Sequence, residues 1–159
     1  MRKVFIHADD FDAHELYHQL RVASPEAGAI VQFTGLVRAD LVPRSTMSTA
    51  GTDNVQSLTI EHYPGMTEKA IESIIAQCVE RWGELSALVV HRIGELFAGD
   101  QIVYVAIAAE HRQAAFDAAM FIMDYLKNDV PLWKKQSTSS SSAWVEQKLN
   151  DKMRKTLWD

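Results

Sequence analysis

The sequence predicts an α+β protein with a mixed or antiparallel sheet, built around two long amphipathic helices. Strand-like segments and helical segments alternate along its 159 residues. No glycine-rich fingerprint joins a strand to the helix after it, which argues against a doubly wound parallel sheet. A hydrophobic content of 47% is typical of a globular chain with a substantial core. Length and composition therefore predict one domain, residues 1–159.

The first third of the chain predicts two strands, one helix and a long loop. Residues 4–7 are predicted to form a strand, and residues 12–22 a helix with an acidic residue near its start. Residues 29–34 are apolar and β-prone, which predicts a strand that ends at Gly35. Residues 39–56 are polar and lack periodicity. A loop of this length is usually functional or disordered, so we expect it to be mobile until a ligand or partner binds.

The remaining elements follow from periodicity and turn signals. Alternation over residues 57–63 predicts a strand, after which Pro64-Gly65 begins a helix over residues 66–82. A second long helix is predicted over residues 111–127. Further strands are predicted over residues 85–93 and 101–108, which could form an antiparallel pair, with a connection over residues 94–100 between them. Strands are also predicted over residues 132–138 and 143–147. The charged tail, residues 149–159, is expected to be helical or frayed.

Charge and cysteine content exclude several classes of function. The formal net charge of −5 argues against general nucleic-acid binding, which requires a basic face. The single cysteine, Cys78, excludes an internal disulfide, a CxxC redox pair and a zinc-finger cluster. Its position on the apolar face of the helix over residues 66–82 predicts a buried side chain. The chain shows neither a signal peptide nor an apolar run of ~18 residues, so we expect a cytoplasmic protein.

A cluster of lysines near residues 121–136 is the strongest chemical signal. An apolar helix leads to Lys127, a proline follows at position 131, and two more lysines come directly after Trp133. Lysines placed between a helix end and an aromatic anchor can be held still, which acid-base or acyl chemistry requires. Spacing alone leaves open a structural interpretation, namely a helix-end lysine and an edge-strand lysine.

Three more basic residues are candidates for anion binding. Arg38 follows a strand end and a glycine, where a guanidinium often faces a cleft. His111 and Arg112 lie at the predicted start of a helix, where positive potential favours anions. His62 and His91 lie in strand-like runs without a second ligand at metal-binding spacing, so no metal site is predicted and His91 is interpreted as a cross-strand residue.

Several short sequence motifs of this chain occur together in one known family. In order, they are residues 33–38 (FTGLVR), 58–66 (LTIEHYPGM), 91–96 (HRIGEL), 99–100 (GD), 111–112 (HR), 124–127 (DYLK) and 131–135 (PLWKK). The series resembles the catalytic, large subunit of molybdopterin synthase, and the match covers roughly residues 28–147. The resemblance implies an α/β hammerhead-type domain with a small additional β subdomain.

The resemblance also implies a reaction and its partners. The family transfers sulfur to cyclic pyranopterin monophosphate from the C-terminal thiocarboxylate of a small ubiquitin-like subunit. Two transfers produce the dithiolene of molybdopterin. Large subunits form a homodimer, and a small subunit docks at each end with its Gly-Gly tail in the active site, giving a heterotetramer. No cofactor is implied.

The resemblance assigns roles to individual residues. It implies that Lys127 is the essential lysine and that Lys134 is its partner. The substrate-binding residues that it implies are Leu36, Val37, Arg38, His111, Arg112, Lys135 and Gln136. His111 and Lys127 are sixteen positions apart on one predicted helix, or roughly 24 Å at the helical rise. One small ligand cannot easily contact both within one subunit, which predicts a two-fold homodimer with shared sites.

Two other functions remain compatible with the residues. A non-catalytic adaptor could capture a ubiquitin-like tail, and it would need the tail groove without the lysine pair. A Schiff-base enzyme could instead use Lys127 as its nucleophile. A pterin-conversion assay distinguishes sulfur transfer from the adaptor, and dependence on a thiocarboxylated partner excludes the Schiff-base enzyme.

Overall fold

Two β-sheets and their covering helices form the described part of the protein. A computed structural model describes residues 1–38, 41–42, 53–138, 142–144 and 149–158. The strands are β1 (Arg2–His7), β2 (Ala29–Leu36), β3 (Leu41–Val42), β4 (Asp53–His62), β5 (Leu85–Arg92), β6 (Gly94–Phe97), β7 (Gln101–Ala109), β8 (Leu132–Thr138) and β9 (Ser142–Trp144). The helices are α1 (Ala13–Val22), α2 (Met66–Trp82), α3 (Arg112–Asn128) and α4 (Leu149–Lys155), followed by a 3-10 turn, Thr156–Trp158.

The first sheet has the strand order β1-β5-β7-β2. β1 runs parallel to β5, whereas β5 and β2 both pair antiparallel with β7. The expected antiparallel pairing of the strands near residues 85–93 and 101–108 is therefore confirmed. The second sheet has the order β3-β4-β8-β9, and β6 pairs with β4. This mixed arrangement confirms the α+β prediction, with the second sheet as the additional β unit.

Side-chain alternation divides the core between the two faces of the first sheet. Ala87 and Val89 of β5 belong to the larger cluster, which includes Ile75 of α2 and Phe121 of α3. Leu88, from the opposite face of the same strand, packs in a smaller cluster under α1. Because successive residues of a strand point to opposite faces, two apolar layers arise from one buried strand.

Helix starts and ends follow local capping chemistry. The Asp12 carboxylate accepts hydrogen bonds from the backbone N–H groups of His14 and Glu15, at 2.8 and 3.2 Å. This places the expected acidic cap at Asp12. At the start of α2, Gly65 has a φ of 78° and its N–H donates to the Glu68 carboxylate at 2.7 Å. A positive φ explains why glycine occupies this junction.

Two sequence-based expectations need correction. The region over residues 39–56 is not a loop throughout, because residues 41–42 are paired with residues 53–54 as strands. Residues 39–40 and 43–52 lie outside the described residues, so the mobility expected for this region falls outside them as well. The stretch over residues 94–97, expected to be a connection, is a strand because Leu96 is fully buried and pairs with Leu58 of β4.

The ends of the predicted C-terminal elements also differ. The described part of the last strand is Ser142–Trp144, so it begins one residue before the predicted range of 143–147, and residues 145–148 lie outside the described part of the chain. The tail is helical, as expected, but it is not frayed at Trp158. That indole packs edge-on against Trp82 and Phe121, with ring centroids 5.8 and 5.5 Å apart. None of the described helices is long and apolar enough to cross a membrane.

Candidate functional site

A cavity of about 960 Å³ lies where the end of β2, the end of α3 and strand β8 meet. Six residues proposed from the sequence line it, and they are Leu36, Val37, Arg38, Lys127, Lys134 and Gln136. The charged residues of this lining are three cations and Asp129. The Asp129 carboxylate lies 2.8 Å from the Lys155 amine, which compensates its charge. The cavity is thus cationic within an acidic protein, which suits anionic ligands.

Lys127 is presented by the last turn of α3. The helix is anchored by Leu126, which is buried beside Lys127, and by the fully buried Phe121 one and a half turns earlier. It ends where the Asp129 N–H donates to the Tyr125 carbonyl at 2.8 Å. Pro131 follows and cannot continue the helix. Lys127 therefore stands at a fixed helix end, as the sequence predicted.

Residues of the C-terminal segment form hydrogen bonds with the end of α3. The Asp124 side chain is only 7% exposed and accepts hydrogen bonds from the Trp158 indole N–H at 2.8 Å and the Arg154 guanidinium at 3.2 Å. The Arg81 guanidinium donates to the Trp158 carbonyl at 2.8 Å. We call these contacts the C-terminal clamp. No local pattern in the sequence predicts this clamp, because each contact joins residues distant in the chain.

Lys134 and Lys135 are adjacent on β8 but are placed differently. Lys134 is opposite Ile60 of β4 and lines the cavity. Lys135 does not line it, and its amine lies 5.9 Å from the ring centroid of Trp144. Adjacent strand residues point to opposite faces, so the expectation that both lysines share one pocket wall is not met.

The segment after β2 is pinned by reciprocal backbone hydrogen bonds. The Val37 N–H donates to the Asp100 carbonyl at 2.9 Å, and the Gly99 N–H donates to the Val37 carbonyl at 2.8 Å. Val37 is buried, whereas Leu36 and Arg38 are exposed beside the cavity. Arg38 therefore directly follows a residue that two backbone hydrogen bonds hold in place.

His111 and Arg112 lie at the opposite end of α3 and do not line this cavity. The helix is continuous from Arg112 to Asn128, so its rise separates His111 from Lys127 by roughly 24 Å. One chain does not bring these residues together. The His111 ring instead lies 3.5 Å from the Glu110 carboxylate at the surface.

His91 is a cavity residue that the sequence did not place at the site. His91 lines the cavity and is 4% exposed. Burial lowers the pKa of His91 to about 4, and the charges of Lys134 and His62 also lower it. A hydrogen bond to the Arg92 carbonyl acts in the opposite direction and raises it. The available signal was strand parity, because His91 shares the parity of the core residues Ala87 and Val89.

Metal-ligating and thiol chemistry find little support among the described residues. In that part of the chain no three His, Cys, Asp or Glu side chains are grouped to hold a metal ion. His14, Glu15 and His18 on α1 have the spacing of a zinc-protease helix, yet all three are exposed. The expectation that Cys78 is buried is confirmed, since it is fully buried and its pKa is raised to about 12 by desolvation.

Comparison with known proteins identifies relatives over nearly the full length. The family model described as MoaE protein matches residues 6–129. The molybdopterin synthase catalytic subunit of Salmonella typhimurium is 44% identical over 148 residues, covering 93% of this chain and 92% of that protein. The protein of the same name from Escherichia coli is 41% identical over 156 residues, covering 98% and 97%.

Solved structures have the same fold. The molybdopterin biosynthesis MoaE protein from Burkholderia ambifaria superposes with a TM-score of 0.80 at 39% identity, covering 99% of this chain and 98% of that one. Molybdopterin synthase from Staphylococcus aureus gives a TM-score of 0.76 at 27% identity, covering 89% and 96%.

Proposed function

This chain belongs to the MoaE protein family, and from that membership we propose that it is the catalytic subunit of a molybdopterin synthase. It transfers sulfur to cyclic pyranopterin monophosphate from the C-terminal thiocarboxylate of a small ubiquitin-like subunit. The observation that carries the proposal is the cationic cavity, which joins Lys127, Lys134 and Arg38. We further propose that residues 1–159 act as one domain and that the reaction takes place in the cytoplasm.

The charge of the cavity fits the charges of both reactants. The donor is an anionic thiocarboxylate and the acceptor carries a phosphate, so two anions must approach each other. Bringing them together requires local cations that offset their repulsion. Asp129 adds little opposing charge because it is paired with Lys155. An acidic chain can thus perform this reaction in a locally basic site.

Sulfur transfer needs both a proton carrier and an electrostatic stabiliser. The thiocarboxylate sulfur forms a bond to a side-chain carbon of the pterin as that carbon's bond to oxygen breaks. The departing oxygen takes up a proton, and the product is a thioester between partner and pterin. Water then cleaves the acyl–sulfur bond, so the sulfur stays on the pterin and the partner leaves as a carboxylate. We assign Lys127 as the general acid and base for these steps, and Lys134 as the cation that stabilises developing negative charge.

We assign the remaining substrate contacts from the positions of residues in or beside the cavity. Arg38 can bind the phosphate or a carboxylate through its fork of N–H donors. Leu36, Val37 and Gln136 line the same cavity and contact the substrate. Lys135 lies outside this lining and acts from the rim, beside Trp144.

The partner's tail enters where the cavity opens to solvent. Leu36, Trp133 and Trp144 line the cavity and remain 54%, 49% and 56% exposed, respectively. Exposed large apolar side chains beside a polar pocket are typical of protein contacts. A narrow Gly-Gly tail fits such an opening because it has no side chains to exclude.

We propose a homodimer that completes each site. His111 and Arg112 bind substrate in the cavity of a second copy, since roughly 24 Å separates them from Lys127 in their own chain. Phe116 and Met120 lie on α3 between these two ends and are 57% and 41% exposed. An apolar surface at this position is suited to contact with a second copy. With two small subunits the assembly is a heterotetramer.

The decisive experiment mixes the purified chain with a thiocarboxylated small subunit and the cyclic pterin precursor. The parent protein should form molybdopterin, while Lys127→Ala should lose activity by about a hundredfold or more and still bind the small subunit. Lys69→Ala, which removes an exposed lysine on α2, is the matched control and should retain full activity. Equal turnover by Lys127→Ala and the parent would refute the assigned role.

The same assay separates the other functions. A non-catalytic adaptor would bind the small subunit without pterin conversion. A Schiff-base enzyme would be trapped by borohydride with a carbonyl substrate and would not need the thiocarboxylate. Sedimentation tests the dimer, because a fully active monomer at micromolar concentration would contradict it.

A further inference from the structure

The side chain of His91, near the end of β5 in the first sheet, faces the cavity described above. His91 has the same parity on β5 as Ala87 and Val89, which belong to the core cluster on the α3 side. Its partner on β7, Val103, also lines the cavity, as does Met123 of α3. The imidazole is thus fixed at the end of a buried strand and directed toward the site.

The hydrogen bond of this ring defines its tautomer. His91 Nδ1 lies 2.8 Å from the Arg92 carbonyl oxygen. A carbonyl can only accept, so Nδ1 carries the proton and Nε2 carries a lone pair. Burial lowers the pKa of His91 to about 4, and the nearby Lys134 and His62 charges act in the same direction. The ring is therefore a neutral hydrogen-bond acceptor at neutral pH.

We propose that His91 is a positioning residue whose Nε2 accepts a hydrogen bond from the Lys134 ammonium and directs it at the reacting atoms. This inference rests on the proposed function. A lysine ammonium is a donor on a flexible four-carbon stem, so its direction must be set by acceptors. A neutral acceptor sets that direction without cancelling the charge, whereas a carboxylate would neutralise it. The positive charge remains available to stabilise the anion formed during sulfur transfer.

Two substitutions separate this role from simple packing. His91→Asn keeps a side-chain N–H near the Nδ1 position, where it can donate to the Arg92 carbonyl, but removes the acceptor near Nε2. His91→Gln places a side-chain oxygen near the Nε2 position. We expect His91→Asn to lower kcat by about tenfold to a hundredfold with KM changed less than about twofold. His91→Gln should stay within about threefold of the parent in kcat. Parent-like kcat in His91→Asn, or equal loss in both variants, would overturn the proposal.

A spectroscopic measurement on the parent protein is independent of whether the variants fold. Long-range ¹H–¹⁵N spectra should show His91 protonated on Nδ1 only, with an Nε2 shift that changes in Lys134→Ala. An Nε2–H tautomer, titration near pH 6.5, or an Nε2 shift unaffected by Lys134→Ala would each overturn the proposal. Pterin conversion by the parent is the separate test of the proposed function, since its absence would refute that function whatever the state of His91.

Discussion

The C-terminal clamp should contribute measurable stability through one buried hydrogen bond. Trp158→Phe removes the indole N–H that donates to the Asp124 carboxylate at 2.8 Å. The phenyl ring can keep the edge-on contacts with Trp82 and Phe121. The substitution therefore isolates the hydrogen bond from most of the ring packing.

The expected magnitude follows from the burial of the acceptor. The Asp124 side chain is 7% exposed, so water screens the interaction weakly. A hydrogen bond to a charged group contributes about 1.5–3 kcal/mol to the free energy of unfolding. We expect Trp158→Phe to cost about 2 kcal/mol, which corresponds to a fall in Tm of roughly 4–8 °C for a chain of this size. The half-exposed Arg154 should contribute less, about 0–1 kcal/mol.

The assay is urea unfolding of the parent, Trp158→Phe, Asp124→Ala and the double variant, followed by circular dichroism. The coupling free energy between the two positions should be about 1–2 kcal/mol. Leu157→Ala is the control, because Leu157 belongs to the same segment but is 73% exposed, and it should change stability by less than about 0.5 kcal/mol. Additive effects at positions 124 and 158 would refute the hydrogen bond as the source of stability.

Three further predictions concern Gly35, Cys78 and His91. Gly35→Ala should destabilise the protein by about 1–3 kcal/mol in urea unfolding and lower turnover, because a Cβ there would lie 2.7 Å from Val103 Cγ1 beside the cavity; a parent-like variant would show that the valine moves aside. Cys78 should resist a maleimide at pH 7–8 in the native protein and react after denaturation, since the thiol is fully buried and its pKa is raised to about 12; rapid native labelling would contradict this. The pKa of His91 is lowered from 6.5 to about 4 on folding, so the unfolded chain binds more protons in that interval and stability should fall by up to about 3 kcal/mol as pH drops through it. His91→Gln should lack this part of the pH dependence. If the parent and His91→Gln show the same slope of unfolding free energy against pH, the lowered pKa of His91 is refuted.

Local chemistry was sufficient to predict much of the fold. Asp12 as an N-cap, Gly65 at the start of α2 and Pro131 after α3 are signals that act within a few residues. The end of α3 at Asn128, and with it the placement of Lys127, followed from such signals. The burial of Cys78 followed from helical periodicity alone.

Features that depend on distant contacts were not predicted. The strand Gly94–Phe97 is short, and only its pairing with β4 distinguishes it from a turn. The clamp at Asp124 needs residues about thirty positions further along the chain. His91 is a cross-strand residue, as predicted, since it pairs with Val103 of β7. Its place in the cavity depends on α3 and β8, which are distant in the chain. The resemblance to a known family supplied roles for residues, whereas tertiary placement removed Lys135 from the cavity wall.

The two lysines of the cavity belong to different layers of the protein. Lys127 is carried by a helix that packs on the first sheet, and Lys134 is carried by a strand of the second sheet. The distance between their amines consequently depends on how the two sheets are positioned relative to each other. A small shift of one sheet relative to the other would therefore change the distance between the two amines, and a ligand that contacts both amines would restrain such a shift. If the proposed substrate contacts both amines, we expect its binding to reduce the motion of the two sheets relative to each other.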